Sequence, residues 1–534
     1  MDRSTAGPLA QPFYDAVVIG GGVNGAGIAR DLAGRGVNVA LCEQDDLAQH
    51  TSSQSTKLIH GGLRYLEHHE FGLVHKALAE RERLLRIAPH IMRPLRFVMP
   101  HHPAMRPAWM IRAGLFLYDH LARRDFLPAS RALDLVHDVA GAALKPQFTR
   151  GFSYFDVAVD DARLVILNAR DAAERGAHIW PRTRCEEARR QGDAWMLRIR
   201  AANGEQHTLR ARYLVNATGP WAHGFLSTQV HVETPLHPRA LRLVRGSHIV
   251  VPRLFEHDSA YIVQNTDGRI LFAIPFEHHF TLVGTTDVEH TGAPEAADAS
   301  NDEVAYLCEQ ANRYFRMQIA PTDVVWRYAG VRPLLDDNAG DPSAVTRDYL
   351  LERDEVGAPL LTVWGGKLTT YRRLAEEAAD LICQGVHRPS RHWTGTAALP
   401  GGDLSSWVGS TGTPEQNFTA FLRAVSERYA WLPRALAQRL ARAYGSRVDV
   451  LLDGARCLTD LGEELAPNLF EAELHYLVRY EWASTAEDVL WRRGKLGLHT
   501  LPPRLRLVQA WMRAHATVRN IFPADPAVLP EGTP

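Results

Sequence analysis

The turn Gly20-Gly21-Gly22-Val23-Asn24-Gly25 follows the apolar run Tyr14-Asp15-Ala16-Val17-Val18-Ile19 and precedes a second apolar run that closes on Glu43. Residues of these types at this spacing can hold a dinucleotide. Gly20 supplies backbone angles that other residues avoid, Gly22 lets the chain approach a pyrophosphate, and Gly25 permits close helix packing. The helix from about Gly25 to Gly34 aims its positive end and its free N–H groups at the phosphates. Glu43, about 20 residues past the glycines, is placed to accept hydrogen bonds from ribose hydroxyls, and its charge would repel the extra phosphate of NADP. The whole unit predicts a protein that handles electrons.

Further segments set polar groups beside small residues. Thr51-Ser52-Ser53-Gln54-Ser55-Thr56-Lys57 is a hydroxyl-rich loop suited to phosphate and ribose contacts, or else to capping a helix. His60, Arg64 and Tyr65 follow it around a glycine pair. Tyr213 to Trp221 reads as a buried strand ending in Ala217-Thr218-Gly219, a turn that lets backbone approach a ligand. Leu361 to Tyr371 reads as strand, double glycine and helix, with Lys367 beside Gly366.

A large scaffold must position these groups. The chain of 534 residues is long enough for about three domains and a large core. Its 60 Lys+Arg against 61 Asp+Glu leave a formal net charge of −1, so no overall field attracts nucleic acid. Five scattered cysteines without a CxxC pair suggest neither a disulfide framework nor a zinc or iron–sulfur site, and read as a reducing compartment. Met1 to Gln11 holds no apolar h-region, and no run reaches the roughly 18 uncharged apolar residues that span a bilayer.

From Phe71 to Ile87 the apolar residues Leu73, Val74, Ala77, Leu78, Leu84 and Leu85 recur at helical spacing, with Glu80, Arg81, Glu82 and Arg83 opposite, which predicts a surface helix. Arg86 to Arg124 holds seven Arg, no Lys or Glu, and Asp119 as its one acid, interleaved with Trp109, Phe116 and Tyr118. That composition suits a segment lying on an anionic lipid surface, or an amphipathic core helix with solvated arginines. The runs 247–251, 269–275 and 281–287 read as strands of a sheet over the cofactor. Pro389, Pro400, Gly401 and Gly402 mark a linker, after which helical patterns dominate to Asn520, with Ser484 and Glu487 as a capping box.

Gly20 to Gly27, Thr51 to Glu67, Leu214 to Trp221, Gly246 to Pro252, Val283 to Asp287, Gly330 to Pro333 and Gly365 to Tyr371 together resemble the aerobic, FAD-dependent sn-glycerol-3-phosphate dehydrogenases. Arg106 to Arg112 and Leu490 to Arg493 resemble that family too, so the likeness covers almost the whole chain. It implies an α/β fold, α+β overall: a Rossmann-like FAD-binding domain in 14–85 plus 151–235 plus 340–387, an antiparallel-sheet substrate or cap domain in 86–150 plus 236–339, and a helical C-terminal domain in 388–534.

It also implies a reaction, the oxidation of glycerol 3-phosphate to dihydroxyacetone phosphate with FAD reduced and then reoxidised by membrane quinone. His248 is the expected base, because imidazole titrates near neutrality and the family places a histidine at this Ser-His-Ile-Val position, with His60 as the alternative. Arg332 and Arg64 match substrate-binding positions, and guanidinium grips a phosphate dianion with fixed geometry. Lys367 looks like a third contact, for substrate oxygens or for charge on the reduced flavin, while Tyr65 and Thr370 add hydroxyls. FAD is expected at Gly20, Gly22, Asn24, Gly25, Glu43, Ser52, Ser53, Thr56, Lys57, Ala217, Thr218, Gly219 and Gly366, with no metal. The family's anaerobic relatives carry a cysteine-bearing extension and its oxygen-using relatives an insertion. Neither is present in the sequence, which favours quinone reduction, and a lipid-soluble acceptor in turn favours a cytoplasmic protein attached peripherally through Arg86 to Arg124 on the inner face of the membrane. A homodimer is compatible with this reading. Its rivals are another FAD-dependent amine or 2-hydroxy-acid oxidoreductase, and a catalytically silent flavin-binding module.

Overall fold

The computed structural model describes residues 12–103, 106–265, 267–335, 348–389, 391–409 and 412–516. The expectations for 1–11, for the boundary at 340 and for helix continuing to 520 lie outside these residues.

Strand Phe13–Ile19 runs parallel to Val39–Cys42 on one side and Gln206–Asn216 on the other, with Val18 opposite Leu41 and Val215. Central parallel strands are covered on both faces, so Ala16, Val17 and Val18 expose no surface. Gln206–Asn216 serves twice. Its first half pairs with Ala194–Ala201 and its last residues pair with Leu360–Trp364, which brings the distant double glycine beside the first turn. Nine strands complete this sheet, and helices Val23–Gly34, Asp161–Glu174 and Tyr371–Gly385 share a core with Ala16 and Val18 on one face.

A second sheet of ten strands centres on Leu241–Pro252, which pairs antiparallel with Trp326–Leu335 and with Phe280–Gly284. Helix Asn301–Tyr314 packs against it, begun by a capping box between Ser300 and Glu303. Strand Arg150–Val159 belongs to this sheet and not to the first, because it pairs end to end with Met92–His101. This moves 151–159 out of the cofactor unit in which the sequence placed it. The C-terminal unit packs helices Pro414–Arg428, Arg434–Tyr444, Glu471–Glu481 and Pro502–His515 around Phe421, Leu440, Leu474, Leu477 and Val489. Its expected Ser484/Glu487 box is displaced by one residue. Asp488 accepts from Thr485 N at 3.0 Å and Thr485 Oγ1 accepts from Asp488 N at 3.2 Å, while Glu487 turns to Arg492 at 2.9 Å.

Two expectations drawn from charge patterning are corrected. Helix Phe71–Ile87 is not a surface helix: Glu80, Arg81 and Glu82 are buried, Glu80 under two bonds from Arg372, Arg81 on Asp156, and Glu82 on the backbone N–H groups of Asp125 and Phe126. The stretch Arg86 to Arg124 is less cationic a face than its composition suggests. It divides into strand Met92–His101 and helix Ala108–His120, and Arg86, Arg96, Arg106, Arg123 and Arg124 pair with Asp125, Asp138, Glu67, Asp125 and Asp119. All but one of these acids lie outside the stretch. What the helix turns outward is mainly apolar, with Trp109 71% and Phe116 58% exposed beside exposed Arg112 and His120. Inward, buried Tyr118 accepts a hydrogen bond from Gly61 N and donates one to Asp156, both 2.8 Å. No helix of the described residues is long and apolar enough to cross a membrane.

His90 sits fully buried where the C-terminal unit meets the rest, and burial, then Arg163 and Arg442, push its pKa down to about 3. The folded ring stays neutral while the unfolded chain protonates near pH 6.5, so this contribution is complete above pH 6.5 and is lost as pH falls toward 3. Each pH unit in that window costs about 1.4 kcal/mol. Urea unfolding of wild type and His90→Leu at pH 7.5 and pH 5.5 is expected to show a smaller acid loss in the variant by about that amount. Equal losses would refute the assignment.

Candidate active site

The first strand delivers Gly20 with φ 112°, and a Cβ there would stand 2.4 Å from the carbonyl oxygen of Ala217. Only glycine fits. A Cβ on Gly25 would lie 1.8 Å from the Gly20 carbonyl oxygen, so Gly25 acts from behind the turn by letting the helix close on it. Ser52 reaches over from the hydroxyl-rich loop, and its Oγ accepts a hydrogen bond from Val23 N at 3.0 Å. Asn24 donates to Gly365 O at 3.1 Å and so ties the helix start to the double glycine. At the end of the second strand, Glu43 accepts from Gly21 N at 2.6 Å and Asp45 N at 2.8 Å, and burial raises its pKa.

These groups line one cavity of about 430 Å³. Gly20, Gly22, Asn24, Glu43, Ser52, Ala217, Thr218, Gly219 and Gly366 share it with His248, Arg332 and Lys367. It also takes in Gln49, His50, Gln54, Arg184 and Trp221, which the sequence had not singled out as site residues. Trp221 stood at the end of the matched Leu214 to Trp221 segment and could have been named from it. The cavity fits a flavin dinucleotide: helix start, glycine turn and Glu43 lie in one wall, and buried Asn24 Oδ1 has no hydrogen-bond partner among the described residues.

From the second sheet, His248 is buried on strand Leu241–Pro252 with its ring stacked on Tyr328 at 4.9 Å. Its Nε2 shares a hydrogen bond with Thr56 Oγ1 at 2.9 Å. Burial, then the charges of Arg332 and Lys57, hold its pKa well below the usual imidazole range, so the ring is neutral. Arg332, on the neighbouring strand, pairs with Asp287 and donates to Thr285 Oγ1 at 3.2 Å. Its guanidinium occupies space that a side chain at Gly246 would fill, since a Cβ there would be 2.4 Å from Nη2. Asp287 is a further residue that sequence reasoning missed, although it closes the matched Val283 to Asp287 segment. Lys367 Nζ stands 4.1 Å over the Tyr65 ring.

Other expected contacts lie outside the lining. Lys57 is buried in an ion pair with Asp161 at 2.9 Å and donates to Ser53 O, so it pins the loop to the start of helix Asp161–Glu174. Ser53 Oγ donates to His50 O at 3.4 Å. The backbone of His60 exchanges hydrogen bonds with Thr369 Oγ1 at 3.1 and 3.3 Å, and Thr370 is buried at the head of helix Tyr371–Gly385. Arg64 is half-buried beside Tyr65 with no ion-pair partner among the described residues.

A nucleotide-binding parallel sheet, an antiparallel sheet carrying a neutral histidine, and one cavity reaching both define a flavin-dependent oxidoreductase. The family model "FAD dependent oxidoreductase" matches residues 15–372, and "C-terminal domain of alpha-glycerophosphate oxidase" matches 393–518. A glycerol-3-phosphate dehydrogenase of Pseudomonas aeruginosa is 52% identical over 96% of this chain and 98% of its own. A D-erythritol 1-phosphate dehydrogenase of Brucella abortus is 48% identical over 92% of this chain and 96% of its own. The solved glycerol-3-phosphate dehydrogenase of Bacillus halodurans, complexed with FAD, superposes with a TM-score of 0.73 at 27% identity, covering 94% of this chain and 90% of that one. The chain belongs to the glycerol-3-phosphate dehydrogenase family of FAD-dependent oxidoreductases.

Proposed function

We propose that this chain oxidises sn-glycerol 3-phosphate to dihydroxyacetone phosphate and passes the electrons to a membrane quinone. The observation that carries this reading is His248, a buried neutral imidazole in the same cavity as the glycine turn, with Arg332 and Lys367 beside it. When bound, the flavin supplies the acceptor for hydride from C2. His248 takes the proton of the C2 hydroxyl, a role that needs the uncharged ring that burial enforces. Thr56 fixes the orientation of that ring. Arg64 lies outside the cavity lining, and its guanidinium, committed to no carboxylate among the described residues, is available to turn toward the phosphate. Arg332, steadied by Asp287, and Lys367, steadied over Tyr65, orient the substrate oxygens.

A second reading, a tetritol phosphate as substrate, is favoured by the relative named D-erythritol 1-phosphate dehydrogenase. Anaerobic mixing of the holoenzyme with each substrate separates the two. Flavin bleaching by sn-glycerol 3-phosphate at the lower concentration supports the first, bleaching by D-erythritol 1-phosphate alone supports the second, and bleaching by neither rejects both.

Attachment is peripheral and rests on helix Ala108–His120, whose outward side is mainly apolar. Trp109→Glu with Phe116→Glu is expected to weaken liposome co-sedimentation about tenfold or more, since burial of an aromatic side chain is worth about 1.5–3 kcal/mol. High salt should change it less than the double variant does, because Arg106 and Arg124 are paired with acids and only Arg112 on the helix bonds to a neutral group. Binding that high salt abolishes and the double variant leaves intact would restore the arginine face.

A further inference from the structure

Asp46 exposes no surface, yet it lies within the segment 44–52 whose Gln44, Ala48, Gln49 and Ser52 line the cofactor cavity. Its carboxylate points away from the cavity and into the C-terminal unit. There it takes Nε of Arg492 at 2.6 Å and Nη2 of Arg493 at 2.9 Å, with a further contact from Arg493 Nη1. The same segment grips the glycine turn, because Ala48 N donates to Gly21 O at 3.3 Å. Ala48 adopts φ 63°, a left-handed conformation that a residue with a Cβ keeps only under outside constraint.

The neighbouring wall is held by the same turn. Arg182, at φ 54°, precedes the lining residues Thr183, Arg184 and Cys185, and its backbone N–H donates to Asp45 O at 2.7 Å. Its Nη2 makes bonds of 2.9 and 3.0 Å to Asp488, which is fully buried and also receives Arg492. Asp488–Arg493 is a π-helical turn, and it lines no part of the cavity. It falls in the second family segment, beyond residue 372 where the oxidoreductase match ends.

We propose that this turn is a retention clamp for FAD. Arg492 and Arg493 are positioning residues: through Asp46 they hold segment 44–52, and through Asp488 and Arg182 they hold segment 182–185, closed over the dinucleotide without touching it. The proposal rests on the cofactor, and it stands whichever polyol phosphate is oxidised.

The test is the dissociation constant of FAD, measured by flavin release from the full-length holoenzyme of Arg493→Met. Loss of one partner from a buried ion cluster is expected to weaken flavin binding about tenfold or more, with KM for the bleaching substrate changed less than about twofold. Arg439→Met is the control. It removes the partner of buried Glu473, at 2.7 Å inside the C-terminal unit and away from both walls, and should leave the FAD constant unchanged. Unaltered flavin binding in Arg493→Met, or an equal loss in Arg439→Met, overturns the clamp. Should Arg493→Met fail to fold, Arg182→Gln decides, since its side chain is only partly buried and Asp488 keeps Arg492. A weakening of about threefold supports the clamp and an unchanged constant overturns it.

Discussion

Replacing His248 by Asn is expected to slow anaerobic flavin reduction by substrate about 10²–10⁴-fold while flavin content stays as in wild type. The side chain lines the cavity and takes no part in the glycine turn, so chemistry and cofactor binding should separate cleanly in this variant. The pH profile sharpens the expectation. A ring whose pKa is held well below 6.5 is already a base at neutrality, so kcat/KM should be flat on its account through the neutral range and fall only in acid. A wild-type profile breaking near pH 6.5 would mean that the imidazole is solvated in the working enzyme, and a His248→Asn variant reduced at the normal rate would remove it from catalysis. His60→Ala should cost far less, because it is the His60 backbone that clasps Thr369 and its side chain is not part of the cavity lining.

Arg372→Met is expected to lower the free energy of unfolding by about 3–5 kcal/mol, the usual penalty for stranding one buried charge. Arg372 makes 2.6 and 2.7 Å bonds to Glu80, 2.8 Å to Glu376 and 3.1 Å to Thr394, and the pair it forms with Glu80 is sealed from solvent. Adding Glu80→Met should recover part of the loss, since it removes the stranded Glu80 carboxylate while Glu376 keeps Arg373. Urea unfolding distinguishes the cases. A single variant costing less than about 1 kcal/mol would place the pair with ordinary surface bridges.

Glu80 also shows where the sequence stops being legible. The helix that carries it has the predicted bounds, because a spacing of three and four is a local property. The fate of its charged side depends on Arg372, 292 positions away, which no pattern within the helix announces. The arginines of 86–124 fail in the same way, as their acids come mostly from elsewhere. The glycine turn was legible because each glycine answers a steric demand set by its immediate neighbours. Within the hydroxyl loop, type alone could not sort Ser52, which faces the cavity, from Thr56, which meets His248, or from Lys57, which meets Asp161. Three polar positions of one loop serve three different partners once the second sheet is in place.

The two-sided pairing of strand Gln206–Asn216 has a consequence for biosynthesis. The cavity draws on Gly20 and on Gly366, so its first wall leaves the ribosome about 350 residues ahead of its last. At about 5–20 residues per second, the nascent chain carries an unfinished nucleotide fold for about 20–70 s. Leu360–Trp364 cannot join the sheet before then, and Arg493 is made later still. Flavin loading therefore belongs to the final stage of synthesis or follows release, and chains truncated ahead of the double glycine should emerge without cofactor.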